Sequence, residues 1–294
     1  MSLNCSPNSV KDFILTKTIN TLVQDIYSLF TEPHEFDEGN VERFAHRLAT
    51  HIKNRISDER GKPNLRMSAL GTPCDRKLWY SINASEEAEA LSPQTRFKFL
   101  YGDILEELVL FLAAEAGHTV EGAQDQLNIE GVKGHRDAVI DGTLVDVKSA
   151  STYSFKKFEN HLTKEDDAFG YLDQLGAYLY ASKDDPIVKD KHKAAFVAVD
   201  KTLGHIVVDV QPNTGKDYSK VVKSKQAVIE AKQPPARAFE DKEDGKSGNR
   251  KLATACSYCQ FKTKCWPELR TFLYSDGPRF LTIVKNQPKV MERA

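Results

Sequence analysis

No stretch of the 294 residues approaches the ~18 consecutive apolar residues that a membrane span needs, so no transmembrane helix is expected. The opening MSLNCSPNSVKDF has neither the basic start nor the apolar run of a secretory signal, and a reducing cytoplasm is the expected compartment. Neither charge is in excess: 41 Lys and Arg stand against 42 Asp and Glu, a formal net charge of −1. That excludes a protein that coats nucleic acid along its whole length, but it leaves room for a local basic groove. Five cysteines are too few, and odd in number, for a disulfide framework. There is no internal repeat and no Walker A motif. Gly245-Lys246-Ser247 fails that pattern because Glu240 stands where its first glycine should be. What is present is a globular composition, 40% hydrophobic and 28% charged, long enough for one or two domains with a real core.

Apolar spacing predicts two helices in the first ~60 residues. One covers 10–30, with Phe13, Ile14, Thr18, Leu22, Ile26 and Phe30 on a stripe; the other covers 40–56, after an acidic loop at 32–39. The polar stretch 58–64 reads as a boundary. A loop enters a helix at 70–80. Residues 96–116 read as a helix that is apolar on most sides, a pattern that predicts burial. The period then changes to two. A strand is expected over 118–129, and two more over 135–140 and 143–149, joined by the hairpin signal Asp141-Gly142. A helix at 164–181, a second hairpin at 194–200 and 205–210, and a basic helix at 216–232 follow. A polar linker at 241–249 leads to a short cysteine-bearing tail. The pattern is α/β or α+β, a mixed sheet flanked by helices, divided as 1–64, 65–250 and 251–294.

A two-residue turn at Asp141-Gly142 pairs Ile140 with Thr143. Counting back, Asp137 faces Asp146 and His135 faces Lys148. One face of the hairpin then carries His135, Asp137, Val139, Leu144, Asp146 and Lys148; Ala138, Ile140, Val145 and Val147 form an apolar face. Two carboxylates set opposite each other repel unless a cation sits between them, and hard divalent ions such as Mg²⁺ take carboxylate oxygens. The competing reading is a solvated edge hairpin. Against it, Leu144-Val145-Asp146-Val147-Lys148 is apolar enough to be a central strand, where Asp and Lys are rare. Glu106 lies in the most apolar helix, among Leu105, Leu108, Val109 and Leu110, where a carboxylate must be paired or bind metal. Glu107 competes with it by one register step.

Gly134-His135-Arg136-Asp137 followed by Asp146-Val147-Lys148 resembles the signature of the PD-(D/E)XK nucleases. Gln174-Leu175-Gly176-Ala177-Tyr178 resembles the Q-x-x-x-Y helix of the RecB-like branch, and Gly102 to Glu106 resembles its first motif. The resemblance, which covers about 68–267, implies a restriction-endonuclease-like core with an N-terminal helical extension and a C-terminal cysteine module. It implies a metal-dependent DNA exonuclease in which Glu106, Asp137 and Asp146 hold Mg²⁺ or Mn²⁺. Lys148 would position or deprotonate water or stabilise phosphorane charge, and Gln174 and Tyr178 would orient the lysine or the strand. The implied partners are DNA, single-stranded or end-containing, and a helicase, recombination or CRISPR protein, in a bacterial or phage-infected cytoplasm. A non-catalytic nucleic-acid-binding subunit on the same fold and a restriction-type endonuclease are the alternatives.

Cys256, Cys259 and Cys265 form C-x₂-C-x₅-C, a spacing that brings thiolates to one metal centre and leaves a ligand to be found, with Cys74 and Cys5 as candidates. The segment around Cys74 resembles the upstream cysteine of iron–sulfur RecB-like exonucleases, including the CRISPR-associated ones and the AddB nuclease domain. That likeness implies a structural [4Fe–4S] cluster on Cys74, Cys256, Cys259 and Cys265. A Cys₄ zinc site and a tail of free thiols remain open, and Cys5 reads as a free thiol. His135, Arg76 and Lys77 are candidates for phosphate contact, with Lys98, Lys156 and Lys157 on the same rim; each competes with a surface or hydrogen-bonding role. Trp79 and Tyr80 could stack on bases or pack around the cysteines.

Overall fold

The computed structural model describes residues 16–57 and 62–293. Cys5, Phe13, Ile14 and 58–61 of the expected boundary lie outside the described residues. Of the helix expected at 10–30, the described part is α1 (Leu22–Ser28), which buries Leu22 and Ile26 and leaves Phe30 71% exposed. Then come α2 (Glu38–Ser57), α3 (Asp75–Asn83) and α4 (Pro93–Glu115). The start of α4 is set by the Ser92 side chain, which accepts the Thr95 amide, and by Pro93 in the first turn.

The central sheet has strand order β1-β4-β5-β6-β7. These are β1 (Val120–Glu121), β4 (Ala138–Ile140), β5 (Thr143–Ala150), β6 (Lys193–Asp200) and β7 (Ile206–Pro212). Only β5 and β6 run parallel, so the sheet is mixed. A parallel pair needs a crossover connection, supplied here by α5 (Thr152–Glu159) and α6 (Tyr171–Ala181). The β4–β5 turn follows the sequence: Ile140 pairs with Thr143, and Asp141 and Gly142 both take positive φ, +50° and +79°.

Alternation along β4, β5 and β6 divides the core in two. Val139, Leu144, Phe196 and Ala198 pack with Phe155, Phe158, Leu175 and Leu179 of α5 and α6, and with Val222 of α7 (Tyr218–Glu230). Ala138, Ile140, Val145, Val147, Ala195 and Val197 pack against Leu22 and Ile26 of α1 and Val109, Leu110 and Ala113 of α4. With both faces covered, β6 is buried from Ala194 to Asp200.

The all-round apolarity of α4 has a specific cause: it lies between the sheet and α2. The α2 side is mostly polar. Arg47 and His51 meet Glu107 at 2.8 and 2.9 Å, Arg55 forms a two-pronged pair with Asp103, and His34 and Asn40 reach Glu115. Phe44 stacks on Phe111 at 4.7 Å, and no residue of α2 is fully buried.

Several expected elements are corrected. The strand expected over 118–129 is two short strands in different sheets, β1 and β2 (Gln126–Ile129), because Gly122 and Gln124 take positive φ between them. Likewise 135–140 is split: β3 (Val132–His135) pairs with β2, and only from Ala138 does the chain join the central sheet. The helix expected from 164 starts at Tyr171. Before it, the Asp167 carboxylate takes the amides of Phe169, Gly170, Tyr171 and Leu172, which favours a turn over continued helix. The polar linker and tail form a second, all-antiparallel sheet. It comprises β8 (Lys242–Glu243), β9 (Arg250–Lys251), β10 (Arg270–Tyr274), β11 (Gly277–Ile283) and β12 (Glu292–Arg293). Two one-turn helices, α8 (Thr254–Ser257) and α9 (Lys262–Cys265), carry Cys256 and Cys265, and Cys259 lies between them. Among the described residues no helix is long and apolar enough to cross a membrane.

Candidate active site

Three carboxylates and one ammonium meet where β4 and β5 face α4 and α6. Asp146 lies mid-strand in β5, flanked by Phe196 of β6, and is 4% exposed. Its Oδ1 accepts a hydrogen bond from Gln174 Nε2 of α6 at 3.2 Å. Its Oδ2 forms an ion pair with Lys148 Nζ and has no other partner. Asp137 sits just before β4, opposite Asp146 by continuation of the hairpin register, and its Oδ2 takes the Val147 amide at 2.7 Å. Glu106 comes from α4, its Oε1 accepting from Gln124 Nε2 at 2.6 Å.

Burial, then the charges of Asp146 and Glu106, push the Asp137 carboxyl well above the usual carboxylate range, against the pull of Lys148 and the Val147 amide. Burial also leads the rise of Glu106 to about 7; Gln124 opposes it, while Glu107, Asp146 and Asp103 add to it. Burial alone would lower the Lys148 pKa, but Asp146 and Asp137 outweigh it and raise the pKa above its ordinary value. Lys148 also lies 4.6 Å from the centre of the Tyr171 ring. The constellation is thus an acid cluster with one cation, which favours either protons or further positive charge.

The two glutamates separate cleanly. Glu106 faces the acid cluster, whereas Glu107, one helix step around, is 2% exposed and tied to Arg47 and His51 of α2. Tyr178, one turn beyond Gln174, is buried with its phenolic pKa raised by burial and by Asp146 and Asp137. Its hydroxyl lies where a side chain at position 134 would be: a Cβ on Gly134 would stand 2.9 Å from it. The glycine of Gly134-His135-Arg136-Asp137 therefore makes room for the tyrosine and for Met67, whose Cβ would stand 2.6 Å from that added Cβ.

His135 does not share this face. It pairs with Gln126 in the β2–β3 ribbon and points to solvent, because Arg136 turns the chain between the two sheets. Arg136 is 2% exposed, held by Asp125 and Asp185 at 2.6 Å each and by Gly122 O. Arg76 turns into the fold, donating from Nη1 to Pro235 O and from Nη2 to the Tyr80 hydroxyl, with its buried Nε unpaired. Lys77, Lys98 and Lys156 are exposed, and Lys157 donates to Asp166 O. Trp79 donates to Ala231 O, and Tyr80 stacks on Phe261, so both are packing residues.

A second constellation joins the two ends of the sequence. Cys74, at the N-cap of α3, lines one cavity with Cys256, Cys259 and Cys265. Lys77, Arg237 and Lys262 line it too, and Arg237 stacks on Trp266 at 4.0 Å. Burial, then the neighbouring Cys74, Cys259 and Cys265, push the Cys256 thiol up to about 11. Burial raises Cys259 as well. Such thiols are poor nucleophiles. A cationic wall around them suits thiolates carrying net negative charge. Among the described residues, no group of three or more His, Cys, Asp or Glu side chains is arranged to hold a metal ion.

No family model and no curated protein matches the chain. A solved structure described as the crystal structure of SSO0001 is similar over 75% of this chain and 95% of its own, at 17% identity and a TM-score of 0.43.

Three features of these sites left little sequence signal. Gln124, which holds Glu106, sits in an irregular turn at positive φ. Arg136 is hidden in a motif read for its aspartate. The basic residue types of α2 that anchor Glu107 look like an ordinary solvated helix face.

Proposed function

We propose that this chain is a metal-dependent deoxyribonuclease on a PD-(D/E)XK core, a RecB-like exonuclease with a structural [4Fe–4S] cluster. One observation carries the reading. Gln174 of a helix, Glu106 of another and the Asp137/Asp146/Lys148 hairpin, separated along the chain, meet in one acid cluster. A purely structural sheet gains nothing from three like charges gathered around one lysine.

Glu106, Asp137 and Asp146 would supply the carboxylate oxygens for Mg²⁺ or Mn²⁺. Such an ion supplies polarisation of the scissile phosphate and a more acidic water. Gln174 orients Asp146 through Oδ1, which leaves Oδ2 for Lys148 and for a ligand. Lys148, paired with Asp146, would position or deprotonate the attacking water or stabilise negative charge on the phosphate. Cys74, Cys256, Cys259 and Cys265 would hold the cluster as a staple between α3 and the C-terminal sheet, outside the phosphodiester chemistry. Recombination, repair or CRISPR spacer acquisition, with a helicase or other partner protein, suits a nuclease chain of this kind.

The test is anaerobic purification followed by digestion of end-labelled linear DNA with Mg²⁺ or Mn²⁺. Asp146→Asn should fold and show no cleavage. Cleavage at the wild-type rate by that variant removes the assignment. Circular DNA left intact separates an exonuclease from a restriction-type endonuclease. Four irons and four sulfides per chain support the cluster, and one zinc replaces it with a Cys₄ zinc site.

A further inference from the structure

A line of aromatic rings runs from the acid cluster to the cysteine module. Lys148 Nζ lies 4.6 Å from the Tyr171 ring, Tyr171 lies 5.6 Å from Phe169, and Phe169 lies 5.8 Å from Tyr258. Its inner end is packed: Tyr171 stacks on the buried Phe158. Its outer end is bare. Phe169 is 41% and Tyr258 74% exposed, although each ring would contribute to a core if buried. Tyr258 occupies the turn between Cys256 and Cys259, where its ring adds nothing to the thiol cavity.

The part of the line carried by residues 169–172 is also rigid. Asp167 holds the amides of residues 169–172 with four hydrogen bonds. Gly170, at φ +81°, presses its backbone against Gly71: a Cβ on it would stand 1.7 Å from Gly71 O, and one on Gly71 would stand 2.0 Å from Gly170 O. The backbone carrying Phe169 and Tyr171 is therefore clamped to the segment that leads into Cys74. The exposed Lys77 lines the adjoining cavity alongside Phe169; Lys262 lines it too but is paired with Glu89.

We infer that Tyr258 and Phe169 form a base-stacking track that leads a single DNA strand to Lys148 and the acid cluster, a substrate assignment that rests on the nuclease reading. Exposed rings, one of them on a clamped backbone, beside an exposed lysine are what sequence-tolerant binding of single strands requires. A duplex keeps its base faces stacked on one another and cannot offer them. The track also accounts for an exposed tyrosine in the cysteine turn, which metal ligation does not.

The experiment measures binding of a fluorescent single-stranded oligonucleotide, its abasic counterpart and the corresponding duplex to the full chain, by anisotropy in buffer without divalent metal. Tyr258→Ala and Phe169→Ala should each weaken single-strand binding by about 5- to 100-fold. Tyr258→Phe should bind as the wild type does. The abasic strand should bind wild type and Tyr258→Ala alike. Iron or zinc content and melting temperature, unchanged in Tyr258→Ala, separate lost stacking from a damaged cysteine module; Phe169→Ala gives the same test away from the cysteines. Single-strand affinity that survives both alanine variants, or abasic DNA bound as tightly as normal DNA, overturns the track. Because binding is read without catalysis, the two ideas fail separately. A chain that cleaves DNA but ignores Tyr258→Ala keeps the nuclease reading and loses the track. A chain with ring-dependent strand binding and no hydrolysis under any metal does the reverse.

Discussion

Replacing Glu106 with glutamine should stabilise the metal-free protein, which is the opposite of what removing a buried ion pair does. Burial first, then Glu107, Asp146 and Asp103 against the hydrogen bond from Gln124, lift Glu106 from the ordinary 4.5 to about 7. At 1.36 kcal/mol per pKa unit, that difference costs the ionised form ~3 kcal/mol. Because the folded pKa lies above the unfolded one, the penalty is absent below pH 4.5, grows as the pH rises, and is complete above pH 7. Glutamine never ionises, and its amide oxygen can still accept from Gln124 Nε2. Glu106→Gln should therefore melt roughly 5 °C above wild type at pH 8, and the gap should close toward pH 5. Thermal melts at pH 5, 6.5 and 8 in chelated buffer read this directly. Adding Mn²⁺ should raise the wild-type melting temperature far more than that of the variant. A variant less stable than wild type at pH 8, or a difference that ignores pH, refutes the claim that Glu106 belongs to a strained acid cluster.

Lys148→Met should abolish hydrolysis while Mn²⁺ still binds in titration calorimetry, because lysine donates and does not ligate; affinity lost to the extent seen in Asp146→Asn contradicts its role. Arg47→Ala leaves the buried Glu107 with His51 alone and should cost about 1–3 kcal/mol in urea melts, part of which Glu107→Leu in the same chain should restore. Gly170→Ala meets both a positive φ and the Gly71 carbonyl, and should cost about 3 kcal/mol or more, read as a lower melting temperature.

The central hairpin was readable because its signals were local and of period two. Asp141-Gly142 fixes the turn, and the apolar faces of β4 and β5 follow by counting. The approach of Gln174 to Asp146 was legible only through a motif, since no periodicity says that α6 folds back onto β5. His135 was misplaced because counting assumed an unbroken strand, and Arg136, buried among Asp125, Asp185 and Gly122 O, breaks it. The C-terminal sheet was missed for a compositional reason. Its outer strands Lys242–Glu243, Arg250–Lys251 and Glu292–Arg293 are two-residue and charged, with no hydrophobic face to reveal them. Neither Glu106 nor Glu107 could be chosen from an apolar helix alone; the choice depends on where α2 lies, and α2 buries nothing that would have marked it as a partner.

The cavity that gathers Cys74 with Cys256, Cys259 and Cys265 sets an order in time. About 180 residues separate Cys74 from the first cysteine of the trio. At ~5–20 residues per second, a ribosome needs roughly 10–40 s to bridge that gap. For that interval α3 and the α4–β5 region can form, but Cys74 is without the three thiols that share its cavity. A site that needs all four thiols therefore cannot be complete until the whole central sheet has been synthesised.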